Sequence, residues 1–225
     1  MIFFLPCACP LANDIDALSV FSRAVISARP ALYNSTALDI PWRDLPKSQS
    51  MPKLRLGLVG EDPAFPLHPP VKRALAEAVQ ALQRQGHEVV PIHAARARVA
   101  DATSLACNLL YLDDMALRHV AASGEPIVPS VKKTGRAFNN LNNNFCANCK
   151  DLKGLPKVAA LTMKREELAE QWRAVWKDED LHGVIGPANQ GPASHHDTYG
   201  LTPYTVLLSV LDVRTPSVTH QPCNC

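Results

Sequence analysis

Two stretches of sequence decide the fold, Lys53-Leu54-Arg55-Leu56-Gly57-Leu58-Val59 and His87-Glu88-Val89-Val90-Pro91-Ile92. The first alternates between apolar and polar residues for part of its length, and both are predicted to be strands. Between them, His68-Pro69-Pro70 begins a helix, because proline is tolerated in a first turn, and Gly86 ends it. Strand, helix and strand predict a βαβ unit over about residues 54–92, with parallel strands, and hence an α/β fold.

Five further elements are predicted from the spacing of apolar residues and from capping residues. They are a helix from a cap at Asn13 or Asp14 to about Ala28, helices over about 99–122 and 155–180, a strand at 183–186 and a helix over about 203–213. Gly124 ends the second of these helices. Trp172 and Trp176 fall on the apolar stripe of the third and are interpreted as packing residues.

The composition is that of a soluble globular protein, with 47% apolar and 20% charged residues in a chain of 225. The net charge is only +2 and the basic residues are dispersed, so nucleic acid is not an expected partner. No apolar run approaches the ~20 residues that span a bilayer, so no membrane association is expected. The apolar start of the chain lacks a basic region and is broken by Pro6, which predicts a cytoplasmic location.

Several longer runs are distinctive of one family. They are Pro10-Leu11-Ala12-Asn13-Asp14-Ile15-Asp16-Ala17-Leu18, Asp39-Ile40-Pro41-Trp42-Arg43, residues 61–72, residues 119–126 and Gly183-Val184-Ile185-Gly186-Pro187. Together they resemble the amidase signature family of amide hydrolases, in particular its fungal acetamidase-like branch. The resemblance covers about residues 10–138 and 152–212 and identifies residues 10–213 as the carboxyl-terminal portion of an amidase domain. It implies a mixed sheet covered by helices, and hydrolysis of a small carboxamide to acid and ammonia with no cofactor.

The catalytic residues of that family are not found in this sequence. The family pattern needs a lysine base, a bridging serine and a nucleophilic serine in a glycine- and serine-rich loop, because a hydroxyl nucleophile needs an adjacent base and an oxyanion site. The chain has no Ser-Ser pair and no G-x-S-x-G turn, and Ser123-Gly124 lies at a predicted helix end. The triad is therefore expected upstream of Met1, no catalytic residue is assigned, and the chain as written is predicted to be inactive.

Four residues near the carboxyl end are candidates for substrate binding. By the resemblance, His196, Asp197, Tyr199 and Tyr204 line or support the substrate pocket. The alternative is a hydrogen-bonded loop that holds the last helix in place. Glu61-Asp62 follows the first predicted strand, where ligand contacts often occur, but the prolines at 63 and 66 favour a rigid turn.

The seven cysteines include three close pairs, at positions 7 and 9, 146 and 149, and 223 and 225. Cys146-Ala147-Asn148-Cys149 has the spacing of half a zinc site, but the sequence offers no second C-x-x-C, so no metal ligands are assigned. The asparagine-rich run before it favours a loop. The pairs fall in segments 1–9, 139–150 and 214–225, which do not match the family pattern. Retained introns or a misplaced start of the coding sequence would produce such segments. A metal site and incidental thiols remain the alternatives.

Three functions are left open by the sequence. The first is an amidase-family hydrolase acting on a small carboxamide. The second is a non-catalytic binding or regulatory protein that pairs with a full-length homologue or with itself, because the strands predicted at 54–59, 88–92 and 183–186 would present open sheet edges. The third is a small metal-binding protein that uses the paired cysteines.

Overall fold

The computed structural model describes residues 10–44, 52–112, 115–139, 144–149, 151–197 and 199–211. The chain divides into two compact units, one formed by Leu5–Pro52 and the other containing Lys53–Cys225. The helices are α1 (Ile15–Ser27), α2 (Pro69–Arg84), α3 (Ala94–Ala97), α4 (Val99–Leu110), α5 (Met115–Ser123), α6 (Pro129–Asn139), α7 (Gly154–Asp178) and α8 (Pro203–Val210). The strands are β1 (Arg55–Val59), β2 (Glu88–Ile92) and β3 (Gly183–Ile185), and 3-10 turns lie at Pro30–Leu32 and Asn144–Cys149.

The smaller unit is built around α1. Asp14, one of the two predicted caps, is its N-cap, with an extended backbone and a carboxylate that accepts a hydrogen bond from Ala17 N at 2.7 Å. After the helix, Arg29 pairs with Asp39 at 2.6 Å and lowers the pKa of that carboxyl. The apolar side chains of α1 remain largely exposed, Phe21 to 55%.

The larger unit contains a three-stranded parallel sheet in the order β2-β1-β3. The βαβ unit and the α/β class are confirmed, with β1 and β2 parallel on either side of α2 in sequence. Gly57 lies at the centre of the sheet, opposite Val90 on β2 and Val184 on β3. A Cβ at this position would lie 2.7 Å from Ile92 Cδ1 and 2.8 Å from Leu181 Cδ1. Only glycine therefore fits at position 57 without a shift of these two side chains.

The core of the larger unit lies between α4, α7 and α8. Leu105 on α4, Leu161 and Leu168 on α7, and Leu207 on α8 are at most 1% exposed. Trp172 is 4% exposed, and its indole N–H donates to Ala97 O at 3.0 Å, which confirms its interpretation as a packing residue. The long predicted helix is present as α7, with nearly the predicted limits.

The helix predicted over residues 99–122 is instead two helices, α4 and α5. The buried face of α4 ends at Leu109, while Leu110 is 58% exposed and Tyr111 leaves the helical conformation. Leu112 then packs against the core. The helical spacing of apolar residues therefore continues across the turn between α4 and α5. From this spacing alone, two helices joined by a turn cannot be distinguished from one continuous helix.

The C-x-x-C segment is a short 3-10 helix rather than the loop favoured by its composition. Cys146 and Cys149 are 1% and 2% exposed and belong to the core. Two cations lie over the ring of Phe145, with Arg98 Cζ 4.5 Å and Lys164 Nζ 4.7 Å from its centroid. These contacts attach the segment to α4 and α7. Among the residues described, no helix is long and apolar enough to cross a membrane.

Candidate functional site

Two loops meet at the carboxyl ends of β1 and β3, the edge of a parallel sheet where ligands usually bind. Residues 60–68 follow β1 and residues 186–191 follow β3, and together they are called the carboxyl-end platform below. His68 N donates to Gln190 O at 2.8 Å, and the Gln190 side chain donates back to Pro66 O at 3.3 Å. Gly191 packs on the His68 ring, where a Cβ would lie 3.2 Å from Nδ1. The two loops therefore form one continuous surface.

Tyr204 fastens this platform to the first turn of α8. Its hydroxyl donates to Phe65 O at 2.6 Å and accepts from Asp62 N at 2.9 Å, and the side chain is only 3% exposed. Burial raises the pKa of the Tyr204 hydroxyl above its ordinary value, so the phenol keeps its proton and both bonds persist at neutral pH. The sequence left open whether Tyr204 lines or supports a pocket or belongs to a loop that holds the last helix in place. Its contacts are those of a buried residue that supports the loop.

The two carboxylates of the platform also hold the loop in shape. The Asp62 carboxylate, buried with its residue at 7% exposure, accepts from Ala64 N at 2.9 Å. Glu61 accepts from Leu67 N at 3.1 Å and pairs with Lys72 Nζ at 2.6 Å, and the hydrogen bond from Lys72 lowers the pKa of Glu61. Both side chains thus accept hydrogen bonds from backbone N–H groups of their own loop, as expected for a rigid turn.

The other three candidate residues lie on the surface. His196, Asp197 and Tyr199 are exposed, Tyr199 to 55%, and the backbone of Asp197 is left-handed with φ of 59°. The structure therefore distinguishes a buried hydroxyl that supports the platform from three exposed side chains that are open to a ligand. Their assignment as substrate-binding residues stays a prediction.

The described cysteines are buried thiols. Burial raises the pKa of Cys107 to about 12 and that of Cys146 to about 11, so neither is a thiolate at neutral pH. In the described part of the chain, no group of three or more His, Cys, Asp or Glu residues is arranged to hold a metal ion. Cysteines 7, 9, 223 and 225 lie outside the described residues.

Sequence reasoning missed the contact between the two loops. Gln190 and the backbone of His68 join segments more than one hundred residues apart, and neither residue carries a pattern that marks the pairing. The sequence did offer one indication of the contact. Both segments follow predicted parallel strands, and the carboxyl ends of such strands lie at the same edge of the sheet.

Comparisons with known proteins agree on one family. The family model described as Amidase matches residues 4–223. An amidase of Gibberella moniliformis is 29% identical over 204 residues, covering 90% of this chain and 36% of that protein. An acetamidase of Emericella nidulans is 26% identical over 213 residues, with coverage of 90% and 37%. The chain therefore belongs to the amidase family.

A solved structure shows the same fold. A fatty acid amide hydrolase superposes with a TM-score of 0.72 at 23% identity, over 89% of this chain and 34% of that one. The α/β fold of this family is thereby confirmed. The chain spans about a third of the length of the relatives it matches.

Proposed function

We propose that this protein takes part in amide hydrolysis, in which a carboxamide and water yield a carboxylic acid and ammonia. The observation that carries the proposal is the match of the amidase family model to residues 4–223, together with relatives described as amidase and acetamidase. The position of the platform is consistent with it, because the carboxyl edge of a parallel sheet is where such folds bind substrates.

In this proposal the chain supplies part of the substrate pocket rather than the reacting groups. The platform provides a rigid floor, and His196, Asp197 and Tyr199 provide exposed polar groups that hydrogen-bond the amide oxygen or nitrogen. The side-chain oxygens of Glu61, Asp62 and Tyr204 already hold structural hydrogen bonds. The chain has no Ser-Ser pair, so we further propose that the nucleophile, relay and base are not contributed by this sequence.

An ammonia assay tests whether this chain contributes the reacting groups. The purified 225-residue chain is incubated with acetamide and with a longer aliphatic amide, and released ammonia is measured by a coupled enzymatic reaction. No release above the blank is expected. Release of ammonia would show that the proposal of missing catalytic groups is wrong while leaving the hydrolase class intact.

A graft tests the pocket residues in an active context. Residues 194–204 of this chain replace the aligned segment of the Gibberella moniliformis amidase, and KM and kcat are measured for acetamide. We expect the graft to stay active, and His196→Ala or Tyr199→Phe within it to raise KM about tenfold, the effect of one lost hydrogen bond of about 1.4 kcal/mol. Ser194→Ala is the control and should change neither constant. Unchanged KM in both variants would refute the pocket assignment.

A second candidate function is a non-catalytic partner that pairs through the sheet. The observation that favours it is the strand order β2-β1-β3, in which β3 pairs with a described strand on one side only. Light scattering of the purified chain over a range of concentrations tests self-pairing. A monomer at every concentration would argue against it.

A further inference from the structure

We propose that a cleft between α7 and α8 binds a carboxylate with an apolar tail, such as a medium-chain aliphatic acid. The cleft has a volume of about 380 Å³ and is lined on its apolar side by Trp172, Trp176, Leu208 and Leu211. This volume lies at the lower end of the range of small-molecule sites, ~300–1,000 Å³. It matches a chain of about ten carbon atoms better than a large cofactor. This inference does not rest on the proposed function.

One wall of the cleft is already fixed in place. Trp172 is 4% exposed, and its indole N–H is held by Ala97 O at 3.0 Å. Because the ring cannot turn without losing this bond, a ligand that packs on it does not have to order it first. Trp176 lies one turn further along α7 and is only partly buried, so it extends the apolar wall toward solvent.

The charge at the rim selects the head group. Arg173 and Lys177 both line the cleft, one turn apart on α7. Arg173 is paired with Glu170. Lys177 forms no ion pair with any residue that the structure describes, so its ammonium group is available to a ligand.

The acidic residues near Lys177 do not neutralise it. Asp178 pairs with Arg96 at 2.9 Å, and Glu179 pairs with Arg96 at 2.6 Å and lies 3.8 Å from Arg55. The carboxylates of Asp178 and Glu179 are therefore paired with other cations. An anionic head group is attracted to the ammonium group of Lys177, whereas a cationic head group is repelled by it. The apolar tail of the ligand packs against the apolar wall of the cleft.

Tryptophan fluorescence of the full chain provides the test. Trp42 lies in the other unit, so Trp42→Phe leaves only Trp172 and Trp176 as emitters. Decanoate, decanol and decyltrimethylammonium are titrated separately, each below its micelle concentration. We expect a saturable change in emission with decanoate, and binding at least tenfold weaker for the alcohol and the ammonium compound.

Two variants locate the site. Lys177→Met should weaken decanoate binding about tenfold, because it removes a charge-assisted hydrogen bond. The same replacement at Lys157, near the other end of α7, should have no effect. Ala169→Phe should abolish binding by filling the cleft, with circular dichroism confirming that the variant is folded. No saturable change, equal binding of the three head groups, or insensitivity to Lys177→Met and Ala169→Phe would each overturn the proposal.

Discussion

Replacing Tyr204 by phenylalanine removes one oxygen atom and, with it, the two hydrogen bonds that this hydroxyl makes to the loop after β1. The partners left behind are Phe65 O and Asp62 N, and both residues are 7% exposed, so water does not readily replace the hydroxyl. An unsatisfied buried donor or acceptor costs about 1–3 kcal/mol. With two such groups and partial relaxation of the loop, we expect a loss of about 3 kcal/mol in the free energy of unfolding.

Urea unfolding followed by tryptophan fluorescence measures this loss. With a slope of about 2 kcal/mol per molar urea, the midpoint should fall by about 1.5 M. Tyr199→Phe is the matched control, because it removes the same atom from a side chain that is 55% exposed, and it should change stability by less than about 0.5 kcal/mol. If Tyr204→Phe lost less than 1 kcal/mol, or no more than Tyr199→Phe, the two hydrogen bonds of the hydroxyl would not stabilise the loop after β1.

Three other predictions concern Gly57 in the sheet, Cys146 in the core and Lys72 beside the platform. Gly57→Ala should destabilise the chain by about 1–3 kcal/mol in thermal unfolding, because its Cβ would overlap two side chains, while Gly60→Ala, with no atom within 4 Å, should not. Cys146, with a pKa of about 11, should resist iodoacetamide at pH 8 in the native protein and react after denaturation, as mass spectrometry of the peptides will show. Lys72→Met should lower the melting temperature at pH 7, and by progressively less as the pH is lowered toward 3. The folded-state pKa of Glu61 is lowered, so its pairing stabilises the protein above its unfolded pKa and is lost as pH falls through the folded value.

The parts of the fold that could be predicted from sequence are those fixed by neighbouring residues. The spacing of apolar residues and the prolines at 69 and 70 predicted α2 and both strands of the βαβ unit. A cap at Asn13 or Asp14 predicted the start of α1. The break after α4 could not be predicted, because it depends on which face of the helix the rest of the protein covers. The burial of Cys146 was hidden for a similar reason, since its asparagine-rich surroundings favour a loop.

The candidate site was predictable in position but only partly in role. Glu61 and Asp62 were located after a strand, and the neighbouring prolines correctly favoured a rigid turn. The family resemblance marks Tyr204, but its hydrogen-bond partners are 139 and 142 residues away in sequence. No local pattern distinguishes a tyrosine that supports a loop from one that contacts a substrate.

The contacts of the platform limit the chemistry that it can perform. A general acid or base must exchange a proton with the substrate, and it therefore needs an oxygen or nitrogen that is not committed elsewhere. Glu61 is held by Lys72, Asp62 by a backbone N–H and Tyr204 by two backbone groups, and no buried side-chain nitrogen or oxygen among the described residues lacks a partner. These three side chains therefore serve to support the loop after β1. Exchange of any of these three side chains should alter the free energy of unfolding more than the chemical step of a hydrolase built on this fold.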